Sequence, residues 1–202
     1  MTEDSTARAF WDVRYESQTT PWDFGGVPAP LARYLARGAL PRGARVLIPG
    51  CGSGYEITAF AAAGCDVTAI DFSPPAAERA RRQIRGAANA RVITGDFFTA
   101  DFSAAPFDFI YERTFLCALP PAWRERIVAR SAALLRPGGM LAGIWFFEES
   151  EDGPPFGLAP GAAAGLYDSC FQIVRDEPVA PAESLEFFRG RERWQERVRR
   201  SP

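Results

Sequence analysis

The sequence contains no histidine at all. That removes the commonest general base near neutral pH and the commonest metal ligand. Any proton transfer falls to Asp, Glu, Tyr or an unusual Arg, and no metal is implied. Cysteine is sparse: Cys51, Cys65, Cys117 and Cys170 are scattered without a C-x-x-C spacing, which argues against a structural zinc site and reads as reduced thiols of a cytoplasmic protein. Excess charge of one sign is lacking too. With 23 Lys+Arg against 25 Asp+Glu the net charge is −2, so the chain as a whole exerts no pull on nucleic acid or an anionic membrane. No apolar run approaches the roughly 20 residues of a membrane-spanning helix, and the first residues hold no signal-type apolar core. A soluble enzyme acting on a small molecule is the default reading, and nothing demands more than a monomer.

What is present is an ordinary globular composition, 202 residues with 47% hydrophobic and 24% charged, enough for one domain with a sizeable core. Its most informative stretch is Val46-Leu47-Ile48-Pro49-Gly50-Cys51-Gly52-Ser53-Gly54. A short apolar run feeds into three glycines at alternate positions, and Asp71 closes a second apolar run. This is how a nucleotide-type cofactor is gripped at the first strand-to-helix turn of an open α/β sheet. Glycines Gly50, Gly52 and Gly54 let the backbone approach the ligand, and Asp71 is placed to accept hydrogen bonds from ribose hydroxyls. Tyr55 stands where a dinucleotide fingerprint wants its last glycine, which points away from NAD and toward S-adenosylmethionine. The methionine carboxylate suits backbone N–H groups at a helix start. No Gly-Lys-Ser/Thr follows, so a P-loop is excluded.

Around this turn the pattern predicts an α/β fold. The first residues give a short helix, an irregular loop and a helix over about 30–39. Strands are expected at about 45–49, 66–70, 91–94 and 107–111, with a helix ending at Gly64 and another, capped by Ser73-Pro74, reaching about Arg85. Pro120-Pro121 opens a further helix, with Trp123, Ile127, Leu134 and Leu135 near one face and Arg124, Glu125, Arg126 and Arg130 mostly covering the other. Pro137-Gly138-Gly139 stops it before a fifth, buried strand over about 140–147. A loop over 151–161 and a short helix around 161–169 follow. Two strands near 171–175 and 184–188 would make an antiparallel edge pair, and the Arg/Glu-alternating tail after Phe188 carries no fold argument. The domain is 1–202, with an extension over 1–40 and a Rossmann-like core over 41–202.

Several further residues can carry chemistry. Asp96 and Phe97 follow the third strand, where an acid and an aromatic ring can read an adenine, or simply close a loop over the core. Glu112 can neutralise a sulfonium or hold an ammonium, and Arg113 can orient an acceptor or lower a thiol pKa; a local ion pair is the plain alternative. Cys117 has no histidine partner and is no nucleophile. Trp11, Tyr15 and Trp22 form either a cation-attracting, water-excluding lid or a satellite apolar cluster. No Asp/Asn-Pro-Pro-aromatic motif follows the fourth strand, which counts against a nucleobase amine as acceptor.

In order along the chain, Phe-Trp-Asp-Val-Arg-Tyr (10–15), Thr-Pro-Trp-Asp (20–23), Leu-Ile-Pro-Gly-Cys-Gly-Ser-Gly-Tyr-Glu (47–56), Ala-Ile-Asp-Phe-Ser (69–73), Gly-Asp-Phe-Phe (95–98), Tyr-Glu-Arg-Thr-Phe-Leu-Cys-Ala-Leu-Pro-Pro (111–121) and Gly-Pro-Pro-Phe (153–156) resemble the thiopurine S-methyltransferase family with its thiol and halide branch. The resemblance implies a Rossmann-like class I methyltransferase: a seven-stranded, mostly parallel sheet with helices on both faces and an N-terminal helical lid over the cofactor. It implies that Trp11 and Trp22 line the methionine end, that Gly50 and its neighbours cradle it, that Asp71 takes the ribose, and that Asp96 and Phe97 meet the adenine. It places Glu112 and Arg113 toward the acceptor, with Tyr15 and Phe156 as pocket walls. The expected reaction is methyl transfer from S-adenosylmethionine, leaving S-adenosylhomocysteine, to a soft nucleophile such as a thiol, thiopurine, selenium compound or halide. The alternatives are O- or N-methylation of a small metabolite and a non-catalytic S-adenosylmethionine-binding module.

Overall fold

The computed structural model describes residues 4–102, 105–149 and 152–201. Residues 1–3 of the expected extension and residue 151 of the expected loop lie outside the described residues. The chain divides into two compact units, Met1–Asp101 and Phe102–Pro202.

In the first unit, helices α1 (Arg8–Glu16) and α2 (Ala29–Ala36) precede β1 (Arg45–Pro49), α3 (Tyr55–Ala62), β2 (Asp66–Asp71), α4 (Pro74–Gln83) and β3 (Ala90–Thr94). The strands pair in parallel, β1 with β2 and β2 with β3. Val46, Leu47, Ile48, Val67, Ala69 and Ile70 are all buried, as the apolar runs require of strands covered on both faces. The chain leaves α3 through Gly64 at φ +88°, the left-handed exit expected of that glycine. Ser73 caps α4 by accepting the Ala76 N–H at 3.5 Å, with prolines in the first turn. The inward face of α4 is built of small residues, Ala76, Ala77 and Ala80.

The second unit carries β4 (Phe107–Arg113), α5 (Arg124–Leu134), β5 (Leu135–Phe146), α6 (Ala162–Tyr167), β6 (Phe171–Pro178) and β7 (Glu192–Arg199). β4 and β5 are parallel, whereas β7 pairs antiparallel with both β5 and β6. Three elements differ from the sequence expectation. β5 begins at Leu135 rather than after Pro-Gly-Gly: Phe107 pairs Leu135 and Phe109 pairs Met140, so the residues between loop out of register. Pro137 has no N–H for the ladder and Gly138 sits at φ +70°, which is why this stretch bulges instead of pairing. Arg124 is not a solvent-facing member of α5, since its guanidinium donates to the Phe156 and Gly157 carbonyls at 3.3 and 2.5 Å.

The third difference is the largest. Residues 184–188 form no strand; Glu186–Phe188 is a short 3-10 turn. The true partner of β6 is the charged tail, β7, in which Glu192, Trp194, Gln195, Glu196 and Arg197 are buried. Burial of these groups is tolerated because they answer one another. Trp194 Nε1 donates to Glu196 at 2.9 Å and Arg197 donates to Gln195 Oε1 at 2.7 Å. The Arg197 guanidinium also lies 4.2 Å from the Tyr167 ring centre, and Tyr167 accepts a hydrogen bond from Trp145 Nε1 at 2.9 Å. Among the described residues no helix is long and apolar enough to cross a membrane.

Candidate functional site

β1 ends on Pro49, and the next residues curl back through three left-handed glycines, Gly50 at φ +57°, Gly52 at +51° and Gly54 at +82°. A side chain at any of them would strain the backbone. At Gly54 a Cβ would also lie 2.9 Å from Ala80 Cβ, so this glycine and the small face of α4 are one packing solution. The turn is closed by Cys51 N–H to the Ile70 carbonyl at 3.1 Å and Gly54 N–H to the Cys51 carbonyl at 3.0 Å. Gly52 N–H donates to Asp71 Oδ2 and Ser73 N–H to Asp71 Oδ1, both at 2.9 Å. The Cys51 and Gly52 N–H groups are therefore used by β2 and the Gly54 N–H by the loop itself. Asp71 is 8% exposed. Burial pushes its carboxyl up to about 6, the Ser73 and Gly52 N–H groups pull against that, and the negative charge of Asp12 adds to it. Each oxygen keeps a second lone pair for a further donor.

The N-terminal aromatics sit on this loop. The Tyr15 hydroxyl lies 2.7 Å from where a Cβ on Gly52 would be, and it accepts a hydrogen bond from Trp22 Nε1 at 3.4 Å. The Trp11 and Trp22 rings meet edge-on at 5.4 Å. Trp11 and Tyr15 are one helical turn apart in α1 and share a face. Burial pushes the Tyr15 phenol far up, so it stays protonated. Tyr15, expected as a candidate acceptor-pocket wall, has its hydroxyl beside the glycine loop. Asp23 was quoted only as the last letter of a motif, yet it is an anchor: its carboxylate accepts the Ser53 hydroxyl and pairs with Arg79 at 3.3 Å. The Thr-Pro-Trp-Asp segment is thus tied both to the loop and to α4. The only sequence signal for this was an acid directly after Trp22. After β3, Asp96 accepts the Phe98 N–H at 2.8 Å, Phe97 is buried, and its ring meets Phe98 edge-on at 5.4 Å.

In the second unit β4 runs two residues further than expected, so Glu112 and Arg113 are its last residues and not part of the following loop. Glu112 is 5% exposed. Its Oε1 accepts the Phe115 and Leu116 N–H groups at 3.0 and 2.9 Å, while Oε2 has no hydrogen-bond partner among the described residues. Burial raises the carboxyl to about 7; the two N–H groups and the Arg113 charge oppose this, and Glu192 adds to it. Burial likewise drives the Cys117 thiol well up, which leaves it unreactive. Phe156 is half-buried, and its N–H donates to the Cys117 carbonyl at 2.6 Å. The Gly-Pro-Pro-Phe loop and the Cys-Ala-Leu-Pro-Pro run are therefore held together by backbone.

Comparison with known proteins agrees with these features. A family model described as thiopurine S-methyltransferase matches residues 6–200. A probable thiol methyltransferase 2 of Arabidopsis thaliana is 37% identical over 160 residues, covering 77% of this chain and 69% of that protein. A thiopurine S-methyltransferase of Pseudomonas aeruginosa (strain UCBPP-PA14) is 30% identical over 181 residues, covering 81% and 83%. Among solved structures, the Burkholderia thailandensis 1,6-didemethyltoxoflavin-N1-methyltransferase, with bound S-adenosylhomocysteine, superposes with a TM-score of 0.78 at 20% identity, covering 96% of this chain and 87% of that one. At that identity the likeness speaks for the fold, a Rossmann-like methyltransferase fold.

Proposed function

Because the chain belongs to the thiopurine S-methyltransferase family, and is therefore an S-adenosylmethionine-dependent S-methyltransferase, we propose that its acceptor is a small thiol or a related sulfur, selenium or halide nucleophile. The observation that carries the cofactor half of this reading is the Gly52–Asp71 hydrogen bond within a turn of three left-handed glycines. The residues fit the cofactor: the turn is built of three left-handed glycines, and the buried Asp71 carboxylate, which accepts one backbone N–H on each oxygen, keeps a lone pair on each for ribose hydroxyls. The acceptor half is supported by two of the relatives, one a probable thiol methyltransferase and one a thiopurine S-methyltransferase.

When bound, S-adenosylmethionine supplies a methyl carbon made electrophilic by its sulfonium. The remaining work is done by the chain. Asp71 holds the ribose, and Asp96 and Phe97 serve the adenine. The rings of Trp11 and Trp22 attract positive charge at roughly 0.5–2 kcal/mol each and, as a lid, exclude water. Arg113, Glu112 and Phe156 serve the acceptor; Arg113 favours a thiolate over a thiol by its charge. Positioning is the main requirement, because a thiolate needs no general base at the moment of displacement. We take residues 1–202 as one cytoplasmic methyltransferase domain acting as a monomer. Supporting this are the span of the family match and the four free cysteines.

The test is S-adenosylhomocysteine formation across small thiols, thiopurines, selenols, iodide, thiocyanate and phenols. Turnover with a thiol is expected. Turnover confined to phenols or amines refutes the acceptor class.

A further inference from the structure

Two buried polar atoms of the N-terminal segment, Ser5 Oγ and Asp12 Oδ1, have no hydrogen-bond partner among the described residues. Buried polar atoms are nearly always paired, so each calls for a donor or acceptor. Both belong to the segment that carries the aromatic cluster. Ser5 is 2% exposed, and its carbonyl accepts Trp11 Nε1 at 2.8 Å. Asp12 is the residue after Trp11, on the helix whose Tyr15 hydroxyl rests against Gly52 and which packs on α4. Asp12 also acts on Asp71 electrostatically, since its charge is felt by that carboxyl.

The charges of this region are unevenly answered. Asp23 has Arg79 and the Ser53 hydroxyl. Asp71 has two backbone N–H groups. Among the described residues Asp12 has only Arg8, 3.5 Å from its other oxygen, and the Arg8 side chain is 60% exposed. A weakly answered carboxylate with one buried oxygen, in the segment that carries the aromatic rings, selects a small cation that can donate a hydrogen bond.

We propose that Asp12 is a further cofactor-binding residue, whose Oδ1 accepts a hydrogen bond from the α-ammonium at the methionine end of the cofactor. The inference rests on the cofactor reading above. The ammonium is chosen over the sulfonium because a sulfonium offers no N–H to satisfy the oxygen, and over the ribose because Asp71 already serves hydroxyl donors. Asp12 then complements the rings of Trp11 and Trp22: they attract positive charge without direction, and the carboxylate fixes its place.

Calorimetry on the full chain tests this with two ligands, S-adenosylhomocysteine and its analogue in which hydrogen replaces the α-amino group. The wild-type chain binds the amino compound more tightly. In Asp12→Asn its affinity falls about tenfold or more, the worth of a charge-assisted hydrogen bond, while that of the deaminated analogue stays unchanged. Undiminished binding of S-adenosylhomocysteine overturns the proposal. An equal loss for both ligands also overturns it, because Asp12 then acts through the shape of α1. Asp12→Ala must give the same pattern, and it carries the test if thermal melting shows Asp12→Asn unfolded. A wild-type chain that binds neither ligand refutes the cofactor reading itself, an outcome distinct from either failure of Asp12.

Discussion

Glu112→Gln is expected to flatten the pH dependence of stability. The Glu112 carboxyl rises from its ordinary 4.5 to about 7 in the folded chain because burial strips it of water. Below about pH 4.5 both the folded and unfolded states hold the proton, so the group is neutral toward folding. Between 4.5 and about 7 the folded state binds more protons than the unfolded one, and stability falls as pH rises. Above about 7 both states are ionised and the full penalty is present. Linkage puts that penalty at about 1 kcal/mol near pH 5 and about 3 kcal/mol near pH 8, a difference of roughly 2–3 kcal/mol. Asp71 has the same sign, rising from 3.8 to about 6, and adds about 1 kcal/mol over that interval. Wild-type protein without ligand therefore loses roughly 3–4 kcal/mol on going from about pH 5 to about pH 8 through these two groups. Glutamine keeps an oxygen to accept the Phe115 and Leu116 N–H groups. Its amide nitrogen lands where Oε2 has no partner among the described residues, at a cost of about 1–3 kcal/mol that is the same at every pH. The assay is urea unfolding at both pH values, and the decisive quantity is the difference between them. It should shrink by roughly 2–3 kcal/mol in Glu112→Gln. A pH difference unchanged from wild type within about 0.5 kcal/mol, the usual margin between independent sites, refutes the argument that burial raises this carboxyl.

Gly54→Ala forces alanine into φ +82° and sets a Cβ 2.9 Å from Ala80 Cβ and 3.0 Å from Ala80 Cα, so unfolding should be eased by about 2–4 kcal/mol, read as a lower urea midpoint. Asp71→Asn leaves one acceptor oxygen where two N–H groups converge and removes the charge offered to the ribose; calorimetry should show S-adenosylmethionine affinity reduced by roughly tenfold to hundredfold. Arg197→Ala takes a 2% exposed guanidinium from against the Tyr167 ring and leaves Gln195 Oε1 without its donor. The loss should be about 3 kcal/mol in thermal or urea unfolding, and full stability would show that β7 is not held by this side chain.

How legible the site was depended on whether its causes were local. The glycine turn was legible because each of its three glycines answers a backbone demand made within a few residues, and Asp71 ends an apolar run that could only be a strand. β1 matched its expected bounds, and β2 and β3 came within a residue. Asp23 was not legible as an anchor because its partners, Ser53 and Arg79, lie 30 and more residues away and are ordinary surface types. The early start of β5 was hidden by Pro-Gly-Gly, which reads as a stop and here is a bulge. β7 was hidden by its own charge. Strand reasoning looks for apolar alternation, and Arg-Glu-Arg-Trp-Gln-Glu-Arg has none. Its arginine is buried only because two aromatic rings and a glutamine receive it, and those partners are a matter of tertiary packing.

The missing histidine now has a physical counterpart. A chain without imidazole would ordinarily have little to titrate between its carboxylates and its tyrosines apart from cysteine. Here burial moves two carboxyls into that gap, Asp71 to about 6 and Glu112 to about 7, while the same burial drives Cys117 and Tyr15 out of it upward. The two groups belong to different tasks. Asp71 is fastened to the glycine turn by Gly52, and in the ribose-binding role proposed for it a rise in pH through about 6 gives the carboxylate charge and makes it a stronger acceptor for ribose hydroxyls. Glu112 is fastened to the turn after β4 by Phe115 and Leu116, so its ionisation bears on whatever that turn serves. An inflection near neutral pH in this enzyme therefore needs no histidine. Its origin follows from which quantity bends: ligand affinity alone points to Asp71, and turnover at saturating cofactor points to Glu112.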